Sequence, residues 1–96
     1  MASFEKNWQK LGNYKNSGNV SCSDLLKLLK DMGFEIIDCR KAGHKIATHP
    51  AISLQDYPDF NCGHKPGNKV KRIYIKKMYN FVATHKDAIE GYINEV

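Results

Sequence analysis

Histidine is the residue type in this chain that is best suited to acid–base chemistry near neutral pH. Four histidines are present: His44, His49, His64 and His85. An imidazole can take a proton from a hydroxyl group and return one later in the same reaction. RNA cleavage needs this service, because the 2′-hydroxyl group must lose its proton to attack the neighbouring phosphorus. We take His44 as the candidate general acid/base, since Lys41, Lys45 or Arg72 could stabilise the charge that develops on the phosphate.

The position of His44 also fits a structural role. His44 has the same strand parity as Ile46, so its side chain could be a partly buried, hydrogen-bonded part of the core. On spacing alone this structural interpretation is the more common one. His85 follows the start of a predicted helix cap and is expected at the surface.

The cysteines and histidines also raise the question of a metal site. Between Cys39 and His64 the possible ligands follow the spacing Cys-x4-His-x4-His-x12-Cys-x-His. Structural zinc sites normally contain a closely spaced pair such as Cys-x2-Cys, because one turn then presents two ligands. We therefore expect no metal and no other cofactor. Cys22 lies where a helix dipole could activate a thiol, but nothing marks a partner base, and a small buried side chain is the expected role.

The cysteine count and the N-terminus predict the compartment. Three cysteines are an odd number, which argues against a disulfide framework, so we predict that Cys22, Cys39 and Cys62 are free thiols in a reducing cytoplasm. The first ten residues have no apolar stretch behind a basic start, which predicts no signal peptide. No apolar run approaches the roughly 20 residues that span a bilayer. We expect a cytoplasmic protein that does not associate with membranes.

Charge is unevenly distributed along the 96 residues. Nine basic and two acidic residues lie between 40 and 77, so this segment carries +7 and the rest of the chain −2. Concentrated positive charge favours a polyanionic partner such as RNA, and a solvated basic surface explains it about equally well. A hydrophobic content of 42% excludes collagen-like and fully disordered chains.

Helical periodicity is clearest between Ser21 and Gly33. Ser21 and Asp24 have the spacing of a capping box, and Gly33 is a C-terminal stop. The apolar positions between them repeat with helical spacing: Leu25, Leu28, Leu29 and Met32. Phe4, Trp8 and Leu11 predict a short preceding helix that Gly12-Asn13 ends.

Three strands and two helices are predicted after residue 33. Alternating β-rich residues predict strands over 34–40 and 44–49, joined by a tight turn. Residues 51–69 are predicted to be a long irregular connection, and 70–74 a third strand. Two helices follow, with a break where Thr84 and Asp87 form a second capping box. This order predicts one α+β domain over 1–96, in which 1–20 is an N-terminal extension and 21–96 the core.

The motifs between Ser21 and Pro50 resemble those of the HicA-type toxins of bacterial toxin–antitoxin pairs. In that family a leucine-rich helix ends at Gly-Phe or Gly-Trp, and a strand leads to a Gly-Ser-His-x-x-aromatic-x-His-Pro hairpin. The corresponding stretches here are Asp24 to Lys30, Gly33-Phe34, Ala42-Gly43-His44 and Thr48-His49-Pro50. Residues 63–71 look like the family's basic loop and third strand, and the similarity covers residues 20 to about 83. Ala42-Gly43 replaces Gly-Ser, Ala47 replaces the aromatic residue, and residues 51–60 lengthen the following loop.

The resemblance implies a fold similar to a double-stranded RNA-binding domain. In that fold the order is α-β-β-β-α, and helices pack on one face of a three-stranded antiparallel sheet; here an extra C-terminal helix follows. It also implies a metal-independent endoribonuclease that cleaves mRNA and is neutralised by a HicB-type antitoxin, with His44 as the catalytic residue. RNA contacts are expected from the basic segment: Arg40, Lys41, Gly43, Lys45, His64, Lys65, Lys69, Lys71, Arg72, Lys76 and Lys77. The alternative is a module of the same fold that binds RNA or a protein without cutting, because phosphate contacts give affinity without chemistry.

Overall fold

The computed structural model describes residues 4–41, 43–53, 57–63 and 67–95, which form four helices and three strands. In chain order these are α1 (Phe4–Lys15), α2 (Cys22–Asp31), β1 (Glu35–Asp38), β2 (His44–Thr48), β3 (Asp59–Asn61), α3 (Arg72–Thr84) and α4 (Lys86–Glu95). The predicted α+β class and the α-β-β-β-α order are confirmed, with α1 before them and α4 after them. Among the described residues no helix is both long enough and apolar enough to cross a membrane.

Helix α2 forms as its local signals predict. The Ser21 hydroxyl accepts a hydrogen bond from the backbone N–H of Asp24 at 3.2 Å, and so satisfies one free donor of the first turn. Gly33 has a φ of +94°, the left-handed conformation that ends helices and favours glycine. The predicted stripe is buried, since Leu25, Leu29 and Met32 are fully enclosed and Leu28 is 2% exposed. This stripe is a central part of the single core.

The antiparallel sheet has the order β1-β2-β3, and its register separates a buried face from an accessible one. Lys45 is directly opposite Phe60, and Ile46 is directly opposite Asp59. Directly paired residues project from the same face, and successive residues alternate. Ala47 and Phe60 therefore lie on one face, and both are fully buried in the core. His44, Ile46 and Asp59 share the opposite face, where each side chain is partly exposed.

The third strand lies earlier in the chain than predicted. β3 is Asp59–Asn61, inside the segment expected to be irregular, whereas residues 72–74 of the predicted strand begin α3. The β-branched residues there are placed at helical spacing by tertiary packing, because Ile75, Met78 and Val82 form the buried stripe of α3. Before the helix, Lys69 makes only an isolated antiparallel bridge with Ser21. Burial of an amphipathic helix thus overrides the local strand preference.

Helix α1 runs beyond its predicted end at Gly12-Asn13, to Lys15. Phe4 and Leu11 are buried, and the Trp8 ring stacks on Tyr79 of α3 with 4.3 Å between centroids. A glycine inside a helix costs only about 1 kcal/mol, which this packing outweighs. The predicted break between the last two helices is confirmed and lies at His85. The Thr84 hydroxyl donates to the Asn80 carbonyl.

The prediction of three free thiols is wrong, because Cys22 and Cys62 form a disulfide and only Cys39 is free. Cys22 begins α2 and Cys62 follows β3, so the fold brings together residues 40 positions apart, with 5.3 Å between their Cα atoms. That separation lies within the range that a disulfide requires. An odd cysteine count leaves room for one bridge and one thiol, and the argument from free cysteines to a reducing compartment no longer holds.

Candidate functional site

His44 opens β2 on the accessible face of the sheet, and 31% of its side chain is exposed. Its Nε2 atom lies 2.8 Å from Oδ2 of Asp59, the first residue of β3. The pairing of Ile46 with Asp59 places this carboxylate diagonally across from His44. The imidazole is therefore oriented by a side chain from the neighbouring strand and is not enclosed in the core.

Asp59 contacts two positively polarised groups. Its Oδ1 atom forms an ion pair with the ammonium of Lys77 on α3, while Oδ2 contacts His44. The Lys77 ammonium, followed by the hydrogen bond with His44, lowers the pKa of the Asp59 carboxyl to about 2. Asp59 is therefore ionised at neutral pH, and α3 is tied through Lys77 to the edge of the sheet.

The ionised carboxylate determines where the proton of a neutral His44 ring must be. A carboxylate only accepts hydrogen bonds, so Nε2 of His44 carries the hydrogen and donates it to Asp59. The other nitrogen, Nδ1, is then unprotonated and has no hydrogen-bond partner among residues 4–41, 43–53, 57–63 and 67–95. Such a ring can accept a proton at Nδ1, and the carboxylate stabilises the imidazolium that results. This is the arrangement that general base catalysis requires.

The structural histidine of this fold is His49. It is 2% exposed, and its ring packs edge-on against Phe34 and Tyr92. Nε2 donates to the Met32 carbonyl at 3.0 Å, and Nδ1 accepts from the backbone N–H of Ala51 at 3.1 Å. Burial lowers the pKa of His49, which keeps the ring neutral in the core. Both ring nitrogens are occupied, so His49 is unsuited to acid–base chemistry.

The predicted RNA-contacting residues are distributed over two ends of the structure. Seven of the predicted cations are exposed: Arg40, Lys41, Lys69, Lys71, Arg72, Lys76 and Lys77. Arg40 and Lys41 follow β1, whereas the other five lie before or along the first half of α3. Two of these are tied to the loop after α1, since Arg72 donates to the Asn16 carbonyl at 3.2 Å and Lys69 to that of Asn19.

Three other predicted residues have different surroundings. Lys45 forms an ion pair with Asp38 across the β1–β2 hairpin, and only 18% of its side chain is exposed. Gly43 has a φ of +81° and its backbone lies so close to Gly63 that a Cβ atom would collide with it. Gly43 therefore shapes the turn that precedes His44. His64 and Lys65 lie outside the described residues.

A groove of about 680 Å³ adjoins the His44–Asp59 pair. It lies between the sheet edge and the second half of α3, and it is lined by Ile46, Tyr57, Pro58, Asp59, Lys77, Asn80, Phe81, Thr84 and His85. Sequence reasoning missed Asp59 and His85 as site residues. Asp59 looked like one of two acids in a basic segment, and only the position of β3 reveals its pairing with His44. His85 was expected at the surface, but it is half-buried with its ring 4.6 Å from that of Phe81.

Metal ligands are not grouped in the described part of the chain, where no cluster of three or more His, Cys, Asp or Glu side chains could hold an ion. Comparisons of the sequence with protein-family models and with curated proteins, and of the structure with solved structures, gave no match.

Proposed function

We propose that this protein is a metal-independent endoribonuclease that cleaves mRNA, with His44 as its general acid/base. The observation that carries the proposal is the contact of 2.8 Å between Nε2 of His44 and an ionised Asp59 on the accessible face of the sheet. A histidine held in one tautomer by a carboxylate is a common device for moving a proton. The motifs shared with the HicA-type toxins support the same activity.

The reaction that we propose uses one histidine twice. Nδ1 of His44 takes the proton of the RNA 2′-hydroxyl, and the 2′-oxygen attacks the adjacent phosphorus. The bond from phosphorus to the 5′-oxygen breaks, and the His44 imidazolium returns its proton to that leaving oxygen. Asp59 stabilises the imidazolium between the two transfers. The products are a 2′,3′-cyclic phosphate and a 5′-hydroxyl, so atoms and protons balance.

The biological role that we propose is that of a toxin in a type II toxin–antitoxin pair. An mRNA substrate places the activity in the cytoplasm, and a HicB-type antitoxin is the expected protein partner. The exposed cations of α3 and of the turn after β1 would hold the RNA backbone, because such contacts depend on charge and not on sequence. These cations serve equally well in a module that binds RNA without cutting it, so the test must separate binding from cleavage.

The test compares three variants that differ by one side chain each. His44→Ala removes the base and Asp59→Asn removes the orienting charge, whereas Asp38→Asn removes an exposed carboxylate that also pairs with a lysine. General acid–base groups typically contribute about 10²–10⁴-fold to a rate. We expect His44→Ala to lose cleavage by that factor, Asp59→Asn to lose a substantial part of it, and Asp38→Asn to cut as the wild type does.

Cleavage of a labelled mRNA in the presence of a chelator and growth after expression in a bacterial host are the two readouts. Circular dichroism establishes that each variant is folded. A folded His44→Ala protein that cuts RNA at the wild-type rate would exclude His44 as the catalytic residue. Wild-type protein that binds the RNA but leaves it intact would favour the non-catalytic binding module.

A further inference from the structure

We infer that the groove between the sheet edge and α3 binds one unpaired base of the RNA, beside the phosphate that faces His44. This inference rests on the proposed RNA substrate and names a subsite for it. The groove has a volume of about 680 Å³, which lies within the range of about 300–1,000 Å³ typical of small-ligand sites. Its walls combine apolar rings with a few polar groups, as a planar heterocycle with a hydrogen-bonding edge requires.

The rings of the groove suit stacking. The Phe81 and His85 rings lie 4.6 Å apart at an angle of 46°, so Phe81 supports one side of the half-exposed imidazole. Tyr57 lines the opposite part of the chain's contribution to the groove, and its hydroxyl donates to the Ile52 carbonyl. Unpaired bases are commonly held on such aromatic and imidazole faces, and every base offers a face for this contact.

The polar groups of the groove suit a base edge. Asn80 is exposed and lines the groove, and its side-chain amide both donates and accepts hydrogen bonds. Asn80 follows Lys77 by three residues, so both side chains lie on neighbouring positions of one helix surface. A nucleotide with its base against Asn80 would have its phosphate near the cation at Lys77.

The charges of the groove admit a polyanion. Asp59 is the one acid that lines it, and this carboxylate is paired with both Lys77 and His44. Lys76 and Lys77 are exposed on α3 beside the groove. Asp59 and Lys77 belong both to the groove and to the His44 cluster, so a base in the groove and a phosphate at His44 can belong to adjoining parts of one RNA strand. A base of the substrate is therefore the occupant that this continuity favours.

The experiment measures RNA binding in the His44→Ala background, so that cleavage does not enter the result. A short single-stranded RNA is compared with copies that lack the base at one position at a time, and the dissociation constant is measured by fluorescence anisotropy. The groove variant is Asn80→Ala/His85→Ala. Asn94→Ala serves as its matched control, because Asn94 is exposed on α4 and does not line the groove.

We expect removal of one particular base to weaken binding about 10-fold in the His44→Ala protein and in the Asn94→Ala control. The groove variant should bind the intact RNA about 10-fold more weakly and should be insensitive to removal of that same base, since base stacking typically contributes about 5- to 150-fold. Sensitivity that is unchanged in the groove variant, or no sensitive position in any RNA, would overturn the assignment. So would loss of antitoxin binding with RNA binding intact. Failure of the nuclease proposal is scored separately, as wild-type protein that does not cut RNA.

Discussion

Breaking the Cys22–Cys62 disulfide should destabilise this protein strongly. The bond joins the first residue of α2 to the residue after β3 across a sequence separation of 40. It therefore closes a chain segment that contains α2, the whole sheet and the connections between them. Both cysteines are buried, at 2% and 3% exposure, so the bond lies inside the core and not at its edge.

The magnitude follows from the length of the closed segment. Removing a cross-link across 40 residues restores loop entropy to the unfolded chain worth about 4 kcal/mol at 25 °C. The whole stability of a small domain is only about 5–15 kcal/mol. For a domain of about 60–100 residues, each kcal/mol shifts the melting temperature by about 4–8 °C. Reduction should therefore lower the melting temperature by about 15–30 °C.

Thermal unfolding of wild-type protein with and without dithiothreitol measures this effect, because reduction breaks the bond without changing any side-chain size. Cys22→Ala/Cys62→Ala should melt at least as low as the reduced wild type and should not respond to the reductant. Cys39→Ala is the matched control, since it removes the free thiol, and its melting temperature should still fall on reduction. Thiol titration of the unfolded, unreduced wild type should find one free cysteine.

The same bond supports the candidate site. The N–H of Cys62 donates to the Gly43 carbonyl at 2.7 Å, and His44 is the next residue. Reduced protein below its melting temperature should therefore lose part of its cleavage activity. Three titratable thiols in the unreduced chain, or equal melting temperatures with and without reductant, would refute this account of the disulfide.

Three further predictions concern the core, acid stability and RNA binding. Leu29→Ala should cost about 2–5 kcal/mol in urea denaturation, because Leu29 is fully buried; a cost below about 1 kcal/mol would place the core elsewhere. The pKa of Asp59 is about 2, below its ordinary 3.8, so its stabilisation is present above the ordinary pKa and is lost as the pH falls through about 2. Asp59→Asn should remove that acid dependence in unfolding measured at several pH values, by no more than about 1 kcal/mol since 39% of the Asp59 side chain is exposed. Neutralising Lys69, Lys71 and Arg72 together should flatten the salt dependence of RNA binding by about 0.7–0.9 per lost phosphate contact, and an unchanged slope would place the RNA elsewhere.

The features that the sequence predicted correctly depend on neighbours within one or two turns of the chain. The cap at Ser21, the stop at Gly33 and the buried leucine stripe of α2 are all determined by residues three or four positions apart. The α+β class followed from the order of such segments. His44 could be singled out in the same way, because its residue type and its basic neighbours are visible in the sequence.

Features that were wrong or missed depend on how distant segments meet. β3 forms at 59–61 because β2 offers it a partner edge, and α3 begins at Arg72 because a buried stripe forms only when a core exists to receive it. The Cys22–Cys62 bond joins residues 40 apart, and the contact of His44 with Asp59 joins residues 15 apart. Pairing over such distances is decided by the path of the whole chain, which must first meet the entropy of closing each loop. The sequence alone therefore determined which local elements form and which residue types could act, and the tertiary structure decided which strand is third, which cysteines are bonded and which carboxylate holds His44.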